Sequence, residues 1–84
     1  MTKSHERRRH TRRDVHIHAT AVDEKGLPRV SALIHNVSTS GAKVELLEEA
    51  HLPDRFYMLI PQHELQPCEL VWRSGQFIGV AYRA

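Results

Sequence analysis

The chain has few cysteines, few aromatic residues and no long apolar run, and each shortage excludes a class of protein. Its 84 residues include a single cysteine, Cys68, which has no partner for an intramolecular disulfide. A small disulfide-stapled secreted scaffold is therefore excluded, and we expect a cytoplasmic protein. No apolar stretch approaches the roughly 18–20 residues that a transmembrane helix needs, so we expect no membrane insertion.

The N-terminal composition and the length predict one domain and no secretory signal peptide. The first ten residues, MTKSHERRRH, are polar and lack the apolar stretch of a secretory signal peptide, so none is expected. A length of 84 residues leaves room for one domain, and a hydrophobic fraction of 40% suffices for one core. Because no base or cationic cluster surrounds Cys68 in the sequence, we expect a buried, inert thiol.

Charge is divided unevenly along the chain. Residues 1–13 hold six of the twelve basic residues and one acid, whereas residues 14–84 carry six basic and nine acidic residues, a formal charge of −3. We therefore divide the chain into a flexible basic N-terminal arm, residues 1–13, and a folded domain, residues 14–84. Five of the six basic residues in the arm are arginines, whose guanidinium groups bind phosphate oxygens in pairs. This asymmetry predicts an anionic partner at the N-terminus.

Apolar residues recur with a period of two from Val15 to the end of the chain, which is typical of half-buried strands. Turn residues separate the runs, and no long amphipathic helix is evident. The pattern predicts an all-β fold, a small six-stranded antiparallel β-barrel. The expected strands cover 15–21, 30–35, 42–46, 56–60, 69–73 and 77–82, with the fourth buried on both faces or nearly so and Ser74–Gln76 as a hairpin loop.

The arginines of the arm are spaced in a way that suits a phosphodiester ligand. Arg8 and Arg12 are four residues apart, so they share one face of a helical turn or lie about 13 Å apart in an extended segment. Either arrangement can bracket a phosphodiester. By itself, an arginine-rich N-terminus is more often a solvated tail.

A second candidate is the polar turn Asn36-Val37-Ser38-Thr39-Ser40-Gly41. Asn36 and Ser38 have short polar side chains that can hold a turn by bonding nearby backbone groups. Gly41 can adopt a positive φ and has no Cβ to block a ligand. Such a turn can present N–H groups to an anion, although a turn of this kind between two strands commonly has no further role.

Taken together and in this order, the two segments resemble the ligand motifs of the PilZ family. Arg8 to Arg12 fits R-x-x-x-R, and Asn36 to Gly41 fits D/N-x-S-x-x-G. The final hairpin, Leu70-Val71-Trp72-Arg73 followed by Phe77-Ile78-Gly79-Val80, is similar as well. The resemblance covers residues 6–83.

The resemblance implies a six-stranded barrel that binds cyclic di-GMP, a bacterial second messenger, and has no catalytic activity or cofactor. By similarity to that family, Arg8 and Arg12 of this chain would hold phosphates and stack on guanine. Asn36 and Ser38 would hydrogen-bond the ligand, and Gly41 would shape the turn. Arg7, Arg9 and Arg13 could assist, although the motif does not fix them. Ligand binding would order the arm and change the surface shown to a downstream protein partner.

Two other groups of residues are weighed against simpler interpretations. His16 and His18 share a strand face, but two histidines do not complete a metal site, and we expect no metal. Trp72 could be a platform for a base, but it alternates in phase with Leu70 and Cys68, which favours core packing.

Two functions compete with the receptor. A small barrel with a basic arm could bind nucleic acid through phosphates, although the domain itself is acidic and no row of exposed aromatic residues is apparent. Alternatively, the protein could be an interaction adaptor that does not depend on a ligand. An enzyme is not expected, because no pairing of nucleophile and base and no complete metal site is found.

Overall fold

The alternating runs form six β-strands in the computed structural model, which describes residues 13–23, 25, 29–63 and 65–83. The first strand includes the backbone of Arg13, the last residue of the predicted arm. Residues 1–12 of that arm lie outside the described residues. The strands are β1 Arg13–Val22, β2 Arg29–Val37, β3 Gly41–Leu46, β4 Arg55–Leu59, β5 Gln66–Ser74 and β6 Phe77–Tyr82.

The strands close into one antiparallel barrel with the order β1-β2-β3-β6-β5-β4. Two three-stranded meanders, β1-β2-β3 and β4-β5-β6, are joined along β3 and β6 by five residue pairs and along β1 and β4 by three. The predicted six-stranded antiparallel barrel is confirmed. In the described part of the chain, no helix has the length and apolar character needed to cross a membrane.

The core consists of the inward-facing apolar residues of all six strands. Phe56 and Ile78 are fully buried, and small residues such as Ala21 and Ala32 leave room for them. Cys68 is also fully buried, as predicted. Burial raises the pKa of its thiol from 9.0 to about 11, although the positive charge of Arg83 acts in the opposite direction. The thiol is therefore protonated at neutral pH and is a poor nucleophile.

Two strand predictions need correction. β4 is buried on one face only: Phe56 and Met58 point inward, while Leu59 is 39% exposed because it lies on the outer side of the pleat. β5 begins at Gln66 and includes Pro67, which was assigned to a loop. Pro67 fits there because its carbonyl accepts a hydrogen bond from the Arg83 amide at 2.9 Å, an interaction that needs no N–H from proline. The predicted hairpin loop before β6 is confirmed.

The strand ladders contain irregularities that re-aim side chains on the barrel surface. The register shifts between Asp14 and Ile17 in the β1–β2 pair and between Ile34 and Asn36 in the β2–β3 pair. A third shift separates Leu70 from Trp72 opposite β6. A bulge inserts an unpaired residue and bends its strand, so residues after it change face. The first two shifts lie beside the β2–β3 turn, and the third lies opposite Val80 and Gly79, whose β3 partners Ala42 and Lys43 follow that turn.

Candidate ligand-binding site

The β2–β3 turn and β5 enclose an open cavity of about 290 Å³. One wall is polar and comes from the turn, and the other is apolar and comes from the outer side of β5 and β6. The cavity is lined by Asn36, Val37, Ser38, Ser40, Gly41, Ala42, Lys43, Val71, Trp72, Val80 and Ala81. Asn36, Ser38 and Gly41, the three residues of the predicted turn that were expected to bind a ligand, line this one cavity. The turn itself is shorter than predicted, because Asn36 lies in β2 and Gly41 begins β3.

The turn is held by hydrogen bonds around Ser38. The Ser38 amide donates to the Gly41 carbonyl at 2.9 Å, and the Ser38 hydroxyl lies 3.4 Å from the same oxygen. The Ser40 amide donates to the Ser38 hydroxyl at 3.3 Å, while the Ser40 carbonyl accepts from the Tyr82 amide. Because both ends of the turn are tied to strands, its polar groups are preorganised for a ligand.

Asn36 is oriented from the neighbouring strand. Its side-chain amide donates to an oxygen of the Asp14 carboxylate, and the two residues face each other in the β1–β2 ladder. The bond occupies one of the two amide hydrogens. The Asn36 side chain is therefore fixed at the rim of the cavity and keeps donor and acceptor capacity for a ligand.

Gly41 is needed for a reason that differs from the one expected. It is not in the positive-φ region, which among the described glycines only Gly75 occupies. Instead, a Cβ at position 41 would lie 2.0 Å from the backbone carbonyl oxygen of Val80 on β6. The glycine is thus required by the close approach of β3 to β6, and this approach forms the floor of the cavity.

Trp72 is not in the core, and the prediction that it packs there is wrong. The bulge between Leu70 and Trp72 breaks the period of two, so the indole emerges on the outer face and is 44% exposed. The ring lies against Gly79, where a Cβ would come within 2.1 Å of the indole nitrogen. With Val71, which is 63% exposed, Trp72 forms the apolar wall of the cavity.

Lys43 is the charged residue among the described lining residues. Its ammonium lies 5.0 Å from the centroid of the Phe77 ring, a cation–π distance that holds the side chain across β3 and β6. No carboxylate belongs to the lining as far as the described residues go. The cavity therefore combines a cation, polar donors and an aromatic surface, a set suited to an anion that carries a planar ring.

The strand that follows the arginine motif in the sequence begins next to this cavity. Arg13 pairs with Val37 in the β1–β2 ladder, and Val37 precedes Ser38 in the turn. Arg12 directly precedes Arg13 in the chain, and Arg8 lies four residues further back. Arg7, Arg8, Arg9 and Arg12 themselves lie outside the described residues, and nothing is shown of the Arg13 side chain.

The histidines beside the site form surface contacts. The Nε2 atom of His35 lies 2.9 Å from a Glu45 carboxylate oxygen, and the ring packs edge-on to His16 at 5.2 Å between centroids. His18 is exposed on β1. Among the residues that the structure describes, no three acidic, histidine or cysteine side chains are arranged to hold a metal ion.

Comparison with known proteins gives one family and one fold. A family model described as PilZ domain matches residues 6–83. The crystal structure of the PilZ domain of CeSA from a cellulose synthesizing bacterium is similar, with a TM-score of 0.71 and 16% sequence identity over 88% of this chain and 81% of that one. No curated protein sequence matches.

Proposed function

The chain belongs to the PilZ domain family, and we propose that it is a cyclic di-GMP receptor whose N-terminal arginines and β2–β3 turn hold the ligand together. The family is one of binding domains known for cyclic di-GMP and not of catalytic domains.

The observation that carries the proposal is the register of β1 against β2. Because Arg13 pairs with Val37, the chain enters β1 beside Ser38 and the cavity. The five residue steps from Arg13 back to Arg8 span at most about 17 Å when extended. Both arginines of the motif are therefore within reach of the Asn36–Gly41 turn without any change in the barrel.

The cavity and the arm supply complementary chemistry. Cyclic di-GMP has two phosphates and two guanines, so it needs cations, hydrogen-bond donors and planar surfaces. We assign the phosphates to Arg8 and Arg12, whose guanidinium groups can bind bidentately, and the polar edge of the ligand to Asn36 and Ser38. Trp72 offers a purine base the exposed surface of a ring that packs against Gly79.

Signalling follows from the difference between the arm with and without ligand. A segment with five arginines repels itself and buries little, so it gains order when phosphates neutralise its charge. In the proposal, the ligand draws the arm across the cavity, and the changed surface is read by a partner protein. The ligand shifts the equilibrium only by the difference in its affinity for the two arrangements.

Trp72 provides the test, because it is the one tryptophan in the chain and it lines the cavity. Titration with cyclic di-GMP should change its fluorescence, and calorimetry on the same sample should give the affinity and the stoichiometry. We expect the double variant Arg8→Ala with Arg12→Ala to lose at least about a hundredfold in affinity, since each charge-assisted hydrogen bond contributes about 1.5–3 kcal/mol.

The matched control removes two arginines from the opposite end of the barrel. Arg29 and Arg55 are exposed and lie near the Val22 end of β1, far from Ser38. Arg29→Ala with Arg55→Ala lowers the net charge equally and should leave the affinity within about threefold. If both double variants weaken binding equally, the effect is general electrostatics and the site assignment is wrong.

The competing functions give different results in the same titration. A nucleic-acid binder would retain random oligonucleotides in a salt-dependent way, and excess cyclic di-GMP would not displace them. A ligand-independent adaptor would show no fluorescence change and no heat at micromolar cyclic di-GMP.

A further inference from the structure

A second, larger cavity of about 550 Å³ opens at the end of the barrel where β1 begins and β6 ends. Its apolar lining includes Val15 and Ile17 of β1 and Ile60 and Leu65 from either end of the β4–β5 connection. Ile17 is 36% exposed and Leu65 is 46% exposed. We call this the β1–β4 groove.

The groove exists because β1 and β4 pair over only part of the length of β1. Their ladder contains only the pairs of Thr20, Ala21 and Val22, although β1 starts at Arg13. β2 covers the other edge of β1 along its length. Within the described part of the chain, residues 13–19 of β1 therefore have no strand partner on the side facing β4.

An unpaired strand edge next to an apolar groove is a template for an added strand. Unpaired backbone N–H and C=O groups can bond an extended peptide, while alternate side chains of that peptide fill pockets beside the edge. A cavity of this size accommodates several such side chains.

The charge of the groove indicates which residues the added strand would carry. The described charged residue in the lining is Arg83. The Arg83 guanidinium is held in place, because its Nε donates to the Cys68 carbonyl at 3.3 Å and its Cζ atom lies 6.0 Å from the centroid of the Tyr57 ring. A carboxylate on the incoming segment would pair with this fixed cation.

We propose that the β1–β4 groove docks an extended apolar segment of a partner protein, which adds as a strand to the free edge of β1 and places a carboxylate at Arg83. Val37 lines both the groove and the ligand cavity, so the docked segment would adjoin the ligand site. The groove is built by the barrel alone, so the docking does not require that cyclic di-GMP be the ligand.

The probe is a set of short peptides selected from a random display library against the folded protein and then synthesised with a fluorescent label. We expect the selected peptides to share alternating apolar residues with an adjacent Asp or Glu. Replacing that acid with Lys, or methylating the backbone nitrogens that face β1, should weaken binding at least about tenfold. Amide exchange of residues 13–19 should slow when the peptide is bound.

Protein variants locate the site. Ile17→Ser and Leu65→Ser should each weaken the peptide at least about fivefold, because anchors that fill pockets dominate such interfaces. The matched control is Leu47→Ser, since Leu47 is 44% exposed but lies in the connection that follows β3. Amide spectra of each variant confirm that the barrel is folded.

Several results would overturn the proposal. One is a selection that enriches no peptide, or only peptides that lack Asp and Glu. Another is a loss of peptide affinity in Leu47→Ser equal to that in Ile17→Ser and Leu65→Ser. A third is unchanged affinity after methylation of the peptide backbone. Trp72 fluorescence in the same samples reports cyclic di-GMP binding separately. Peptide binding without cyclic di-GMP binding would support the docking groove and contradict the receptor function. Cyclic di-GMP binding without peptide binding would support the receptor function and contradict the docking groove.

Discussion

At position 41 the lack of a side chain is a packing requirement between two strands. The α-carbon of Gly41 faces the carbonyl oxygen of Val80 so closely that a methyl group would lie 2.0 Å from it. The obstacle is backbone and cannot rotate away. Gly79 differs, because the neighbouring atoms belong to the Trp72 side chain, which can move.

We predict that Gly41→Ala destabilises the barrel by about 2–3 kcal/mol, since β3 and β6 must separate to admit the methyl group. Urea denaturation followed by circular dichroism measures the change. Gly79→Ala should cost less stability but displace the indole, which shifts Trp72 fluorescence and weakens the ligand. A Gly41→Ala protein within 0.5 kcal/mol of the wild type, a surface-like effect, would contradict the account.

The burial of a residue was predicted correctly where its own chemistry determines it, and wrongly where the pairing of two strands determines it. Cys68 was predicted to be buried and is buried. Trp72 was assigned to the core by counting in twos, but one extra residue after Leu70 moved it to the surface. The sequence contains no marker of that bulge, because a bulge depends on the partner strand.

At the scale of elements, the connection between β4 and β5 contains a strained residue. The His63 amide donates to the Ile60 carbonyl at 3.0 Å, so Ile60 to His63 form a β-turn with Pro61 at its second position. Gln62, at the third position, has φ of +69°. This is the geometry of a type II turn, which favours glycine at that position.

Gln62→Gly should therefore stabilise the protein by about 0.5–1 kcal/mol, because relief of left-handed strain exceeds the extra freedom that glycine gives the unfolded chain. Thermal denaturation would show a higher midpoint. Gln62→Ala is the control, since alanine keeps the strain and should leave stability nearly unchanged. Equal midpoints for the two variants would argue against the strain.

All six strands were predicted from apolar periodicity and turn residues, because both signals are local. What escaped prediction was non-local. The prediction of β5 began too late, at Glu69, because Pro67 was assigned to a loop and the partner of its carbonyl, Arg83, is distant in sequence. The groove beside β1 likewise depends on where the β1–β4 ladder stops, which no single run of residues encodes.

For the whole molecule, the buried titratable groups near the end of β6 predict sensitivity to alkali. Burial raises the pKa of Cys68 to about 11, and it also raises the pKa of Tyr82, to which the neighbouring Cys68 thiolate adds. The folded state then holds protons that the unfolded state has lost. This stability is fully present below about pH 9 and declines as the pH rises toward 11.

We expect the free energy of unfolding, measured in urea, to be unaffected by these groups below pH 9 and to fall between pH 9 and 11. Cys68→Ala should be less stable at neutral pH because of the lost packing, yet show a flatter decline. Tyr82→Phe isolates the phenol's share. If the free energy of unfolding of both variants declines as steeply with pH as that of the wild type, the decline is due to other groups.

The two meanders have a consequence for how the molecule could be divided. With one cysteine in the chain, residues 47–54 are the covalent link between β1-β2-β3 and β4-β5-β6. The ligand cavity straddles their joint, since its polar wall comes from the first half and Val71 and Trp72 come from the second. A cut in that link would create two complementary fragments. A molecule bound in the cavity would contact both fragments and stabilise their association.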